Sequence, residues 1–236
     1  MTISTIFLII GILSIFVIPN INHLQTNHNS NYKTIFKCCK SIPNWLIGLN
    51  IATLSVPIML LGALYGSIYL QATGLTLAQA SSVCSALFAG FIVGGIIWGI
   101  IDKSCQKREL LILCGSIFTG ISVILFFYIH QAWPLIALAF LIGGMSSVQS
   151  LSYALISNLN HTEDKSHSMG IVNVLIMFLT GTFQYGLSHN VNLNSIIQNH
   201  FFNIYISGLT VLSIIFILIL LRNSNTPSKK GSSTRS

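Results

Sequence analysis

Four charged residues within seven positions, Asp102, Lys103, Lys107 and Arg108, close a stretch that from Gly90 to Ile101 is apolar and studded with glycine. A carboxylate beside several bases can form an ion pair, or hold the end of a neighbouring helix through that helix's exposed amides and dipole. The cluster stands out in a chain of 236 residues that has 11 Lys and Arg and 4 Asp and Glu. The plainer reading is that its bases anchor a membrane helix on the cytoplasmic side. The other polar side chains set within apolar runs are uncharged: Asn50, Tyr65, Tyr69, Gln149, Tyr153, Asn173 and Gln184. Amides and phenols in such places either face a polar solute or hydrogen-bond neighbouring helices as packing contacts, and both readings stay open here. Gln149 and Tyr153, four apart, share one face of any helix that carries them. Gly90 with Gly94, and Gly95 with Gly99, form two small-xxx-small pairs that let helix backbones approach closely.

Other chemistries find little to work with. The 7 histidines are scattered through polar segments, with no pair at metal-ligand spacing on a common helix. The chain has no Gly-x-Ser-x-Gly elbow and no glycine-rich phosphate loop ahead of a soluble helix. Neither an enzyme nor a metal or cofactor site is expected. An intramembrane carboxylate relay is also excluded, because no Asp or Glu falls inside an apolar run. Cys38, Cys39, Cys84, Cys105 and Cys114 lie in apolar runs or on the face assigned below to the cytoplasm, so no disulfide framework is implied.

The elements that must position these residues follow from composition. The chain is 53% hydrophobic and 6% charged, with mean hydropathy +0.78, whereas about a quarter of the residues in a soluble domain are charged. The reading is an all-α, polytopic membrane helix bundle. Apolar runs of spanning length or near it cover residues 1–19, 45–70, 80–101, 110–129, 134–156, 169–187 and 201–221, about seven transmembrane helices. Residues 1–19 lack the basic start and small-residue cleavage site of a signal peptide, so they read as a retained span. Residues 20–44 form a polar connector, residues 45–222 a block of six spans, and residues 223–236 a polar tail. Pro57, Gly62 and Gly66 should loosen or bend the second span.

Charge placement gives the orientation. Every Lys and Arg lies in the segment after the first, third or fifth span or in the tail, and all four acids lie on the same side. The N-terminus is therefore outside and the C-terminus in the cytoplasm. The formal charge of +7 reports topology and not a nucleic-acid partner. Trp45, Trp98 and Trp133 fall near span edges, as an interfacial aromatic belt requires.

Residues 45–221 resemble the C-terminal half of a major facilitator superfamily transporter, with residues 1–19 as the equivalent of the sixth helix. The family's loop pattern Gly-x-x-x-Asp-Arg-x-Gly-Arg-Arg is matched at Asp102, Lys103 and Lys107; Trp98, Cys105 and Gln106 depart from it. Gly143, Gly144, Gln149 and Tyr153, followed by Gly170 with Asn173 and by Gln184 with Gly186, look like the tenth and eleventh helices of bacterial members. The resemblance implies alternating-access transport of a small solute by a truncated or split half of such a transporter, one half of the family fold lining one wall of a cavity near the bilayer midplane. It implies Asn50, Tyr65, Gln149, Tyr153, Asn173 and Gln184 as cavity candidates, and Asp102 with Lys103, Lys107 and Arg108 as a conformational latch. It also implies a bacterial inner membrane as the location. The expected partners are the lipid bilayer, a small-molecule substrate, and either a separate N-terminal half or a second copy of the chain. The competing function is an accessory or structural membrane subunit without transport of its own.

Overall fold

A computed structural model of the chain describes residues 32–105, 107–161, 164–190 and 201–224. The span expected at residues 1–19, most of the connector and nearly all of the tail lie outside the described residues. The described residues form the helices α1 (Tyr32–Lys40), α2 (Ile42–Ile58), α3 (Gly66–Ala72), α4 (Leu77–Ser104), α5 (Arg108–Phe126), α6 (Ala132–Ser146), α7 (Gln149–Leu159), α8 (Lys165–Asn190) and α9 (Phe201–Ser224), with a π-helical turn over Met59–Leu64. Five stretches are long and apolar enough to cross a membrane: Ile42–Ala63, Leu77–Ser104, Arg108–Phe126, Ala132–Leu159 and Lys165–Gly186. A shorter apolar helix covers Ile206–Arg222. The polytopic all-helical architecture read from composition is the one found.

The first described span starts earlier than hydropathy suggests. Ser41, in an extended conformation, precedes α2, and Pro43 occupies its first turn, where a missing amide hydrogen costs no hydrogen bond. From Asn50 to Ile58 every residue of α2 is buried. A helix buried all round lies inside a bundle, and α2 packs against α7, α8 and α9. The bend expected from Pro57, Gly62 and Gly66 takes the form of the π-helical turn. Tyr65 N–H reaches back five residues to the Leu60 carbonyl at 2.8 Å. The Leu61 carbonyl then points at Gly66, where an added Cβ would lie 1.6 Å from its oxygen. Glycine is required there by this close approach. The Leu61 carbonyl is taken up from the next span by the Cys84 thiol, at 3.5 Å, as the bilayer demands of any backbone group freed from a helix ladder.

The turn into α4 is built from Gly74, at φ +99°, and a capping box. Gln79 N–H donates to Thr76 Oγ1 at 3.3 Å, and Thr76 N–H donates to Gln79 Oε1 at 3.0 Å. These reciprocal bonds satisfy orphan amides and start α4 at Leu77. The span expected at residues 134–156 is divided by a turn at Ser147 and Val148. Ser146 Oγ donates to the Gly143 carbonyl at 2.9 Å and Ser147 Oγ to the Gly144 carbonyl at 2.7 Å, a back-bonding that bends helices.

The most extensive interhelix contact is between α4 and α6. At Gly90 an added Cβ would sit 2.0 Å from the Phe140 carbonyl oxygen, at Gly94 2.3 Å from that of Gly144, and at Gly143 1.9 Å from that of Leu87. Backbone meets backbone with no side chain between. The second small-residue pair does something else: a Cβ at Gly95 or Gly99 meets nothing within 4 Å. These two glycines lie round the helix from the contact and make no close backbone approach among the described residues, so of the two pairs expected to pack, Gly90 and Gly94 do so here. The physical reason is angular, since the α4 contact stripe runs through Val83, Leu87, Gly90 and Gly94, and a step of one residue turns about 100° away from it.

Gly143→Ala is expected to destabilise the bundle by about 1–3 kcal/mol through overpacking. Gly95→Ala and Gly99→Ala should change stability little, because the space is open. Reversible unfolding of the purified variants in mixed detergent micelles checks the contrast.

Candidate functional site

The cytoplasmic half of α2 runs antiparallel to the arm formed by α6 and α7, and polar side chains meet along their seam. Nearest the cytoplasm, Asn44 and Asn160 exchange amide hydrogen bonds at 3.1 and 2.9 Å, and Asn44 Nδ2 also donates to Ser168 Oγ at 3.2 Å. Further in, Ser152 Oγ donates to Asn50 Oδ1 at 3.1 Å, while Asn50 Nδ2 donates to the Ser213 carbonyl of α9 at 3.0 Å. Deepest, the Ser55 hydroxyl bonds the side-chain oxygen of Gln149. Asn44, Asn50, Ser55, Gln149 and Ser152 are all buried. From Asn44 to Ser55 the helix rises about 16 Å, roughly half of a hydrocarbon core about 30 Å thick. The seam thus runs from the cytoplasmic surface to mid-bilayer, and it ends beside the turn that divides α6 from α7.

The sequence candidates fall into separate places. Asn50 and Gln149 sit in the seam with their polar atoms engaged. Tyr153, one turn beyond Gln149, is half-buried against the apolar cluster around Ile47, Leu151 and Val172. Tyr65 is half-buried, and its hydroxyl lies 3.4 Å from the backbone carbonyl of Gln184. Asn173 and Gln184 are both exposed on α8. Eleven residues apart, they stand on one face three turns from each other. Tyr69 is buried, edge-on to Phe127 with ring centroids 5.6 Å apart. Ser55, Ser152 and Ser213 were not singled out from sequence. Their signal is a hydroxyl at the spacing that meets an amide on an antiparallel neighbour, which becomes visible only once the neighbour is known.

At the cytoplasmic end of α4, Asp102 and Arg108 form a bidentate ion pair across the short turn to α5, Arg108 Nε donating to Asp102 Oδ1 at 2.8 Å and Nη2 to Oδ2. Arg108 is the first residue of α5, so the pair joins the end of one span to the start of the next. Lys103 and Lys107 have exposed side chains and stand apart from this pair. Trp98, at the position where the loop pattern has glycine, donates its indole N–H to the Gly144 carbonyl at 2.9 Å. It ties α4 to α6 one turn below the glycine contact.

Five membrane-crossing stretches with a shorter apolar helix, and a charged turn at the end of α4, make up a polytopic bundle. The family model described as Major Facilitator Superfamily matches residues 46–236. The chain belongs to the major facilitator superfamily. It is an integral, multi-pass membrane protein of a family of secondary transporters, and the family's members are transporters and not enzymes. No curated protein matches the chain. Within the superfamily pattern, the departure at Trp98 coincides with a new interhelix hydrogen bond, and the acid at Asp102 has its partner at Arg108 and not at the adjacent Lys103.

Double-mutant cycles with Ser55→Ala and Gln149→Leu should give a coupling of about 0.6 kcal/mol, and no more than about 1.7, the range found for hydrogen bonds between membrane helices. Steric-trapping measurements of unfolding in bicelles read the value directly.

Proposed function

We propose that the chain carries a small solute across the membrane by alternating access, its described spans and the shorter apolar helix α9 forming one wall of the transport cavity. The supporting observation is the seam itself: two broken helices, α2 with its π-helical turn and α6–α7 with its turn at Ser147, bring buried amides and hydroxyls to mid-bilayer. Irregular backbone and polar groups at that depth are the usual makings of a transporter binding site. Gln149 and Tyr153 on α7, Tyr65 above the π-helical turn, and Asn173 and Gln184 on the exposed face of α8 are the proposed cavity residues. Asn50, bonded on both sides, is proposed to hold α2, α7 and α9 in register beside them. The opposite wall comes from another six-helix unit, either a separate N-terminal half or a second copy. A bacterial inner membrane is the proposed location, on the likeness of the Gly170 to Gly186 stretch to bacterial members.

The Asp102–Arg108 pair is proposed as the latch of the cytoplasmic end. It forms between spans that are successive in the chain, so tilting α4 against α5 must lengthen or break it. The side chains are about one-fifth exposed, and an ion pair of this kind contributes about 0.2–1 kcal/mol to stability. That is small for folding, and enough to bias two conformations of similar free energy.

Two outcomes follow. Cysteines placed at Asn173 and Gln184 should react with a water-soluble, membrane-impermeant thiol reagent, whereas cysteines at the exposed positions Ile96 and Ile100 of α4 should not; protection of both α8 positions in the assembled transporter sinks the cavity assignment. Asp102→Asn should slow solute turnover in proteoliposomes while leaving protein yield and unfolding nearly unchanged. Wild-type turnover in that variant would leave the acid with no role as a latch.

A further inference from the structure

The short helix α1 precedes the first described span, and its two sides have different surroundings. On one side it is clasped to the bundle. Lys37 Nζ donates to Asp164 Oδ2 at 2.9 Å, and the Cys38 thiol, buried, lies 3.7 Å from the Asp164 carbonyl oxygen. Asp164 sits at the head of α8, where Ser168 N–H bonds its carbonyl at 3.0 Å. The other side carries Phe36, Cys39 and Lys40, all exposed, Phe36 at 68%. One residue, Ser41, separates α1 from α2, whose first residue Ile42 is exposed at 65%. The Trp45 indole N–H donates back to the Cys39 carbonyl at 2.7 Å, which fixes the corner where the chain enters the bilayer.

We infer that the outer side of α1 is a docking surface for the anionic lipid headgroups of the cytoplasmic leaflet. Phe36 is a large apolar side chain that stands uncovered among the described residues outside the spans, on a helix one residue away from the membrane-crossing segment. Ile42 and Trp45 place the interface at that corner, tryptophan being the residue that settles at headgroup depth. Lys40 shares the exposed side with Phe36, and Lys37 beside it remains two-thirds exposed although it reaches Asp164. A short helix with an aromatic edge flanked by lysines lies in the membrane surface with its apolar edge submerged. The cytoplasmic side is the side that carries the anionic charge these lysines match. The clasp to Asp164 holds the opposite side of the helix, so the bundle presents the surface already formed. The inference depends on the membrane placement of the chain and not on what it transports.

The test uses the full chain with Cys39 as its one cysteine, the other four replaced by serine, labelled with the fluorophore NBD. The protein is placed in nanodiscs of phosphatidylcholine alone or of phosphatidylcholine mixed with phosphatidylglycerol. The expected result is quenching by a nitroxide on the lipid headgroup and protection from the aqueous quencher acrylamide, both stronger when phosphatidylglycerol is present. Lys40→Gln should lower the ratio of seated to unseated helix by about fivefold in the anionic discs, the effect of one lysine near such a surface. Phe36→Ser, a change at an exposed position, should lower the seated fraction in both lipids while the circular dichroism of the bundle stays the same. Full access of acrylamide to the label in both lipids overturns the inference. Equal seating with and without phosphatidylglycerol also overturns it, because apolar contact alone would then hold the helix.

Discussion

A buried amide or hydroxyl in a bilayer has no water to fall back on, so leaving it without a partner in the protein is costly. That cost organises this bundle around the seam between α2 and the α6–α7 arm. Asn44, Asn50 and Ser55 each need a partner, and the antiparallel run of Gln149, Ser152 and Asn160 supplies them at matching depths. A slip of one residue between the helices would turn every one of these groups toward apolar neighbours. Each bond contributes little by itself. Together they specify the register, because the misaligned alternatives leave several polar groups unpaired.

The apolar contacts divide at the depth where the seam ends. One cluster, around Leu61, Leu70, Leu87, Phe126 and Ile142, fills the outer part of the bundle. The other, around Ile51, Leu54, Ile112, Leu151 and Val172, fills the cytoplasmic part, alongside the polar bonds. The turn at Ser147–Val148 lies between them, while the π-helical turn at Met59–Leu64 lies within the outer cluster. Packed interiors deform poorly within themselves. A bundle made of two packed blocks joined through irregular backbone can bend at the joint while each block keeps its own packing.

The sequence made the class and the spans among the described residues legible because these depend on counts and lengths. Apolar runs report membrane crossing through their length. The bend in the second span was also legible, through Pro57 and Gly66, although its π-helical form was not. Hydropathy failed where pairing matters. Gly95 and Gly99 have the same spacing as Gly90 and Gly94, and only the angular position of the α6 contact separates them. The hydroxyls of Ser55, Ser152 and Ser213 are unremarkable in a chain rich in serine until the facing helix is known. The break at Ser147 was hidden in a long apolar run, since two serines after two glycines carry no hydropathy signal of bending. The partner of Asp102 was obscured by proximity: Lys103 is adjacent in the chain, yet a helix sends neighbouring side chains about 100° apart, and Arg108 comes back across the turn to meet the carboxylate.

The close approach of Gly66 to the Leu61 carbonyl has a consequence for how this span tolerates length changes. The π-helical turn holds one residue more than a regular helix would over the same rise, which offsets the outer end by about a third of a revolution. Tyr65 and Tyr69 owe their headings to that offset, Tyr69 against Phe127 and Tyr65 toward α8. Deleting a single residue between Met59 and Tyr65 would straighten the ladder and relieve the constraint on Gly66. The side chains beyond it would keep their bearings, because the residue removed is the extra one. The segment behaves as a take-up for chain length: wound as a π-helical turn it absorbs one residue, and wound as regular helix the same residues would turn the outer end of the span by about 100°.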